Sequence, residues 1–342
     1  MQKVAGISYT GHLRHLGFFS NKELIMEFNC REDIIQLTPL WKGERLPDGR
    51  PKVSDEVLNT IRTMSLEEVW QVGYELGYDN QFQGGFFHSN PQMTTPTVGR
   101  AVTSTFMPIR LDLEVAMKRQ AKAQGMKGNA NLYNIFVVDQ LIEDDVWVVD
   151  LFDKIKYGTI IGGNLGTLLQ QRTKRGGAVV WGGIRDLDQM KGLTDINVYY
   201  RGVDPTALRD HCLTGYNTAC RIGGAVCLPG DVVYACDAGV LFVPPYLAEA
   251  VCESGLKTKV RDLFGFQRIK EGVYNGADID TFPWSVAMME DLVNWIHTEE
   301  AGKPYVDLNW DKEFEEARTG VRANNRHWTN TQMRKLDELD QY

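Results

Sequence analysis

Residues 160–190, "IIGGNLGTLLQQRTKRGGAVVWGGIRDLDQM", place a helical pattern directly before a short apolar run, and this alternation most restricts the possible folds. The stretch from Asn164 to Arg175 is typical of a helix, and Asn164 suits the position that caps its start. The run "GAVVWGG" that follows predicts a buried strand. Helices that alternate with buried strands in this way indicate an α/β protein.

Other segments extend this pattern in both directions. Strands are predicted over 97–109, within 143–153 and at "INVYYRG", and "PGD" and "DAG" separate three short strands over 222–244, with spacings that suit tight hairpins. Helices are predicted within 53–77, with Ser54 or Ser65 as caps, over 110–125, over 244–266 and near 284–297. We therefore expect one α/β domain over 55–272, an N-terminal extension over 1–54 and a C-terminal helical extension over 273–342.

Composition excludes several classes of function. The chain of 342 residues has a net charge of −8 without a basic cluster, which is unfavourable for binding nucleic acid or an anionic membrane. It contains no apolar run long enough to span a membrane and no signal peptide at its start. The six cysteines form no C-x-x-C pair, so we expect reduced thiols and a cytoplasmic protein. His12 and His15 lie three residues apart, a spacing more often found on a polar surface than in a zinc site.

The turn after "GAVVWGG" carries a cation beside an anion. The planar guanidinium of Arg185 can bind a carboxylate through two hydrogen bonds, and Asp186 offers the hard oxygen ligand that Mg²⁺ prefers. The helix that begins within "GGNLGT" offers free backbone N–H groups to an anion. Two interpretations remain open from the residues alone: a structural ion pair, or a site for an anionic substrate and a metal.

Six stretches follow one another over about two thirds of the chain: "VSDEVL", "VGRAVTSTFMP", "EDDVWVVD", "GGNLGTLL", "GGAVVWGGIRDLDQM" and "LPGDVVYACDAGVLFVPPYLAEAV". The order of these motifs resembles that of the RraA-like family. This family includes the regulator of ribonuclease activity A and divalent-metal pyruvate aldolases that act on 4-hydroxy-4-methyl-2-oxoglutarate and 4-carboxy-4-hydroxy-2-oxoadipate. The resemblance implies a swivelling α/β/β-type domain with a mixed sheet, and trimers or dimers of trimers with sites between subunits.

The resemblance also implies roles for individual residues. Arg185 and Asp186 match the Arg-Asp of the aldolase signature, with Mg²⁺ or Mn²⁺ bound to Asp186. Asp262, or less well Glu253, matches a carboxylate that a neighbouring subunit contributes to the outer shell of the metal. A bound 2-oxo acid would have its carboxylate held by Arg185 and by the backbone N–H groups of Gly163, Asn164, Leu165 and Gly166.

One position departs from the signature. Twenty residues separate Asn164 from Arg185, and the family's aldolases carry Asp or Glu where this chain has Asn164. An amide cannot take up a proton, so another group would have to act as the base. Because the regulator branch lacks the Asp of the Arg-Asp pair, Asp186 favours a metal-dependent lyase, whereas Asn164 favours a non-catalytic regulator that binds a protein. A methyltransferase has little support, since no glycine-rich strand–loop–helix with a following acid is present.

The extensions contain many aromatic residues. We expect these residues to cover the pocket for a larger substrate or to extend a subunit interface. The aromatic side chains considered, including those next to the extensions, are those of Trp41, Tyr74, Tyr78, Phe86, Phe87, His88, Trp284, Trp295, Trp310 and Trp328.

Overall fold

The structure is a computed structural model that describes residues 30–125 and 133–321, and it confirms the α/β class with a mixed sheet. His12, His15 and Trp328 lie outside the described residues. The strands are β1 (Phe82–Gln83), β2 (Phe87–His88), β3 (Thr97–Pro108), β4 (Asp145–Ile161), β5 (Gly177–Ile184), β6 (Asn197–Val203), β7 (His211–Tyr216), β8 (Cys220–Ile222), β9 (Ala225–Cys227), β10 (Val232–Cys236) and β11 (Gly239–Val243). The helices are α1 (Arg31–Leu37), α2 (Asp55–Ile61), α3 (Leu66–Glu75), α4 (Leu111–Ala123), α5 (Tyr133–Asp139), α6 (Gly163–Thr173), α7 (Leu187–Met190), α8 (Ala248–Glu271), α9 (Gly276–Asp280), α10 (Val286–Thr298) and α11 (Asp311–Thr319).

The main sheet has a parallel centre and antiparallel flanks. Its order is β1-β11-β10-β3-β4-β5-β6-β2, and β7 pairs with the second half of β3. Strands β3, β4, β5 and β6 run parallel, so their carboxyl ends meet at one edge, called here the carboxyl edge. Both faces of these strands are covered, which explains why every residue of β5 is buried and apolar or glycine.

The segment after β8 contains one predicted hairpin and lacks the other. Strands β10 and β11 pair through the "DAG" turn as predicted, with Cys236 opposite Gly239. The "PGD" turn forms no hairpin, because β9 pairs with the preceding strand β8, whereas β10 pairs with β3. The Asp231 carbonyl accepts the Ala101 N–H at 2.8 Å, and this contact with β3 directs the chain away from β9.

Four apolar clusters surround the sheet. Helices α4 to α7 cover one face, the β8–β9 hairpin covers the other, and α2, α3 and α8 pack against β10 and β11. The fourth cluster joins the C-terminal extension to Val260 and Phe264 of α8, and in it Trp284, Trp295 and Trp310 are at most 7% exposed. The expectation that these three tryptophans cover a pocket or an interface is therefore wrong, since they are buried where the extension packs on α8. None of the helices in the described ranges has the length and apolar content needed to cross a membrane.

Asp231 gives this fold a pH-dependent stability. Burial raises the pKa of Asp231 to about 8. The hydrogen bond that its Oδ2 accepts from the Leu228 N–H acts in the opposite direction and lowers the pKa. The folded chain therefore holds a proton that the unfolded chain releases near pH 4, and stability falls as the pH rises from about 4 to about 8. Between pH 5 and pH 7 we expect the free energy of unfolding of the native chain to fall by about 2–3 kcal/mol more than that of Asp231→Asn, which has no such ionisable proton. Urea unfolding at the two pH values tests this expectation, and Asp195→Asn, at an exposed position, is the control. An equal change in unfolding free energy with pH for the native chain and Asp231→Asn would contradict it.

Candidate functional site

The carboxyl ends of β4 and β5 bring two distant loops together. Ile161 of β4 lies opposite Ile184 of β5, and the Arg185 N–H donates to the Ile161 carbonyl at 3.0 Å. The loop with Arg185 and Asp186 therefore lies beside the start of α6. The helix start, Arg185 and Asp186, which the sequence analysis grouped as a candidate site, therefore lie together at the carboxyl edge.

Asp186 has an unusual backbone conformation with two consequences. Its φ of 53° and ψ of 43° lie in the left-handed region, which Asp tolerates better than most residues. In this conformation its carbonyl accepts the Met190 N–H at 2.9 Å, which starts α7, and its Oδ2 accepts the Gly163 N–H at 3.1 Å. A non-glycine residue held in this region is a common feature of functional sites.

The same contact corrects the prediction that Asn164 caps α6. The helix begins at Gly163, and Gly162 precedes it without a side-chain capping bond. Asp186 supplies the capping oxygen from across the sheet edge, so Asn164 lies in the first turn with its side chain exposed to solvent. Local sequence could not reveal this, because the cap lies 23 residues further along the chain.

The Arg185 side chain is anchored but still accessible. Its Nη1 donates to the Thr159 carbonyl at 3.2 Å, whereas its Nε is 3.6 Å from Asp186 Oδ2, too far for a hydrogen bond. The two side chains are 29% and 41% exposed, so their ion pair contributes little to stability. Within the described ranges Asp186 Oδ1 has no hydrogen-bond partner. The guanidinium edge and this oxygen therefore remain available to a ligand.

The amides at the start of α6 are partly used by the protein itself. Gly163 donates to Asp186, and Gly166 donates to the Gly162 carbonyl at 2.8 Å. The N–H groups of Asn164 and Leu165 have no partner in the part of the chain that the structure describes. An anion at this helix start would therefore meet two unsatisfied donors next to Arg185.

Two further residues shape the site, and the sequence did not single them out. A Cβ on Gly162 would overlap Asp186 Oδ2 and would lie 2.8 Å from Arg185 Cγ, so only glycine leaves room for both side chains. The amide end of Gln189 lies against Gly163, where a Cβ would overlap its Oε1. The available signal was spacing: Gln189 follows Asp186 by three residues, which in a helical turn returns to the same side.

Gly162→Ala tests this packing. Because the Gly162 φ is −143°, alanine is compatible with the backbone, but its methyl group would displace the Asp186 carboxylate and the Arg185 side chain. We expect affinity for Mn²⁺ to fall about tenfold or more, with little loss of thermal stability. Gly276→Ala is the matched control, since a Cβ there meets nothing within 4 Å. Unchanged Mn²⁺ affinity in Gly162→Ala would contradict the assignment.

Asp262 lies far from this site within one chain. It is on the exposed side of α8, which packs against α2 and α3 beyond β10 rather than against α6 or α7. Partial desolvation raises the pKa of its carboxyl, opposed by Arg261 and reinforced by the charge of Asp280. Glu253 is also on α8, where it forms an ion pair with Lys257 at 3.1 Å. Either residue could reach Arg185 and Asp186 only from a second copy of the chain.

The donors present fit a hard cation with a partly hydrated shell. Within the described residues no three His, Cys, Asp or Glu side chains cluster as a preformed metal site. Mg²⁺ commonly binds through one or two carboxylates and keeps several waters, so the free Oδ1 of Asp186 suffices as the protein ligand if a substrate chelates the ion. Zinc or another soft metal would need the nitrogen and sulfur ligands that this site lacks.

Comparison with known proteins gives a consistent picture of the fold. The family model described as RraA-like, Aldolase/RraA, matches residues 51–242. A Streptomyces coelicolor structure, described as RraAS2, an unusual member of the RNase ES inhibitor RraA protein family, is 22% identical, with a TM-score of 0.51 over 66% of this chain and 100% of its own.

Two further solved structures resemble this chain. One, titled as novel cellulases from microbes of the gut ecosystem, is 22% identical, with a TM-score of 0.52 over 68% of this chain and 94% of its own. A Pseudomonas syringae protein is 18% identical, with a TM-score of 0.50 over 64% of this chain and 94% of its own. At these identities the structures establish the fold alone. No curated protein sequence matches the chain.

Proposed function

Because this chain belongs to the RraA-like family, we propose that it is a divalent-metal-dependent lyase that cleaves a carbon–carbon bond in a 2-oxo acid or a related sugar-derived acid. The observation that carries the proposal is the arrangement of Arg185 and Asp186. An accessible guanidinium and a free carboxylate oxygen lie together beside unsatisfied helix N–H groups. Both side chains are open to solvent and are too far apart to hydrogen-bond each other, so each is free to bind a ligand.

The proposed division of labour follows from the charges. Arg185 and the N–H groups of Asn164 and Leu165 bind the substrate carboxylate, and Asp186 Oδ1 holds Mg²⁺ or Mn²⁺. The cation supplies Lewis-acid stabilisation of the negative charge that develops on the 2-oxo oxygen during cleavage. Arg185 orients the substrate, because its own position is fixed by the Thr159 and Ile161 carbonyls rather than by Asp186.

Asn164 favours one type of cleavage over another. Cleavage of a 4-hydroxy-2-oxo acid needs a base to remove the hydroxyl proton, and Asn164 cannot accept it. Decarboxylation of oxaloacetate needs no base, since the electrons of the breaking C3–C4 bond form the enolate as CO₂ leaves, and water then protonates C3 to give pyruvate. We therefore expect turnover of oxaloacetate to exceed turnover of 4-hydroxy-2-oxo acids.

An apolar surface near the site supports assembly into a trimer or a hexamer with sites between subunits. Met107, Ile109, Leu111 and Val203 are 40–78% exposed and lie at or just beyond the carboxyl ends of β3 and β6. Exposed apolar groups in one region favour burial against another subunit. A neighbouring copy seated there could bring Asp262 to the Arg185–Asp186 loop.

Mixing two inactive variants tests this arrangement. If a site combines Asp186 of one subunit with Asp262 of another, Asp186→Asn and Asp262→Asn are each inactive alone. Dissociated and reassembled together in equal amounts, they should regain about one quarter of native activity, because random assortment restores that share of sites. No regained activity from mixed oligomers, shown by mass spectrometry to contain both variants, would exclude the shared site.

The function itself is tested by pyruvate release, coupled to lactate dehydrogenase. Oxaloacetate and 4-hydroxy-2-oxo acids are offered with Mg²⁺, with Mn²⁺ and with EDTA, and uncatalysed metal-dependent decay of oxaloacetate is subtracted. Metal-dependent turnover above that background supports the lyase. Its absence for every substrate supports the second candidate, a non-catalytic regulator that binds a protein, which the amide of Asn164 favours.

A further inference from the structure

A second cavity, of about 180 Å³, lies at the end of the sheet opposite to Arg185. Asp231 is in its wall, and the Asp231 carbonyl binds the N–H of Ala101 on β3. Ala101 lies opposite Val146 of β4, which lies opposite Gly177 of β5. Arg185 follows Gly177 by eight residues, which is roughly 26 Å along a parallel strand. The cavity is therefore separate from the candidate lyase site.

The walls of this cavity are mainly apolar. Residues 37–41, which begin with the last residue of α1, form one side, and Val226, Leu228 and the Pro244–Pro245 pair form much of the rest. Polar groups in these walls are engaged with the protein: the Trp41 indole N–H donates to the Glu44 carbonyl at 2.8 Å, and the Tyr78 and Tyr246 hydroxyls bond to each other. Among the described residues that line the cavity, a charged ligand would find no ionisable side chain other than Asp231 and the two tyrosines.

Asp231 is an exception among these polar groups. It is 2% exposed, and its Oδ2 accepts the Leu228 N–H at 2.8 Å, whereas Oδ1 has no hydrogen-bond partner within the described ranges. Burial raises the pKa of this carboxyl to about 8, so the acid is neutral at pH 7. Since Oδ2 already accepts a hydrogen bond, the proton belongs on Oδ1, which then becomes a donor.

We propose that this cavity binds a compact, uncharged ring compound whose carbonyl oxygen accepts a hydrogen bond from Asp231. An apolar cavity of about 150 Å³ holds benzene, so the present one has room for a ring with a small substituent. The apolar walls favour the ring, and a donor in the wall that has no partner among the described residues favours a ligand that supplies an acceptor. A charged compound would lose its hydration without compensation.

Acetophenone is a suitable probe, and cumene is its matched control, since a methyl group replaces the carbonyl oxygen at nearly the same size. Binding to the full chain is measured by saturation-transfer NMR at pH 7. We expect acetophenone to bind the native chain about tenfold more tightly than it binds Asp231→Val, which lacks the donor. Cumene should bind the native chain and Asp231→Val equally, whereas Asp231→Asn, whose amide can donate, should keep acetophenone within about threefold of native.

A cavity-filling variant keeps the proposal testable if Asp231→Val does not fold. Leu40→Trp should abolish binding of both probes, whereas Phe266→Trp, at a position 60% exposed on α8, should not change it. Asp186→Asn should bind both probes normally, which separates this cavity from the lyase site. No binding of acetophenone to the native chain, equal affinity of acetophenone for the native chain and Asp231→Val, or binding that survives Leu40→Trp would overturn the proposal.

Discussion

Asp186→Asn is expected to lower kcat/KM for metal-dependent pyruvate release at least about 10³-fold while leaving the thermal midpoint nearly unchanged. The amide keeps the shape of the carboxylate and can still accept the Gly163 N–H that Asp186 Oδ2 accepts. It removes the negative charge that holds the cation. Steady-state kinetics and thermal unfolding of the same preparations measure both effects.

Asp188→Asn is the matched control for this variant. Asp188 lies two residues further along, in α7, and is exposed; within the described residues its side chain forms no hydrogen bond or ion pair. We expect near-native activity from it. A large drop in the thermal midpoint of Asp186→Asn, together with activity equal to that of Asp188→Asn, would favour a structural role for the pair.

Arg50→Met is expected to lower the free energy of unfolding by about 3–5 kcal/mol. Arg50 forms a two-pronged ion pair with Asp145, at 2.7 and 3.2 Å, and the two side chains are 3% and 0% exposed. Methionine fills much of the space but leaves the Asp145 carboxylate buried without a counter-charge. Chemical unfolding at pH 7 measures the loss.

The pH and a second substitution show whether the unpaired charge causes the loss. Burial raises the pKa of Asp145, and the charge of Arg50 lowers it. Without Arg50 the carboxyl should therefore protonate more readily, and the loss of unfolding free energy in Arg50→Met should be smaller at pH 5 than at pH 7. Adding Asp145→Asn should recover part of the stability. Arg110→Met, which breaks an exposed pair with Asp112, should change stability little. A comparable loss in Arg110→Met would contradict the explanation by burial.

The parts of the fold that depend on local pattern were predictable from sequence. The apolar run of β5, the helix of α6 and the "DAG" hairpin follow from periodicity and turn chemistry, and their order resembles the RraA-like family. The placement of Arg185 and Asp186 beside the start of α6 also follows, because parallel neighbouring strands end at the same edge. What each of these side chains binds depends on chemistry that the pattern alone leaves open.

Features set by tertiary contacts were not predictable. The cap of α6 comes from Asp186, not from Asn164, and the counter-charge of Arg50 is Asp145, 95 residues away. The "PGD" turn forms no hairpin because β3 competes for β10. Strands β1 and β2 have only two residues each, too few to give an alternating pattern, and their positions depend on pairing with β11 and β6.

The most direct test of the lyase proposal is a titration of Mn²⁺ followed by electron paramagnetic resonance, with and without oxalate as a planar analogue of the pyruvate enolate. In the native chain and in Asp188→Asn we expect one Mn²⁺ per chain, bound more tightly when oxalate is present. Asp186→Asn should weaken binding at least about tenfold and lose the effect of oxalate. Equal Mn²⁺ binding in the native chain and in Asp186→Asn, or no oxalate-dependent Mn²⁺ binding in the native chain, would contradict a metal-dependent lyase at Asp186.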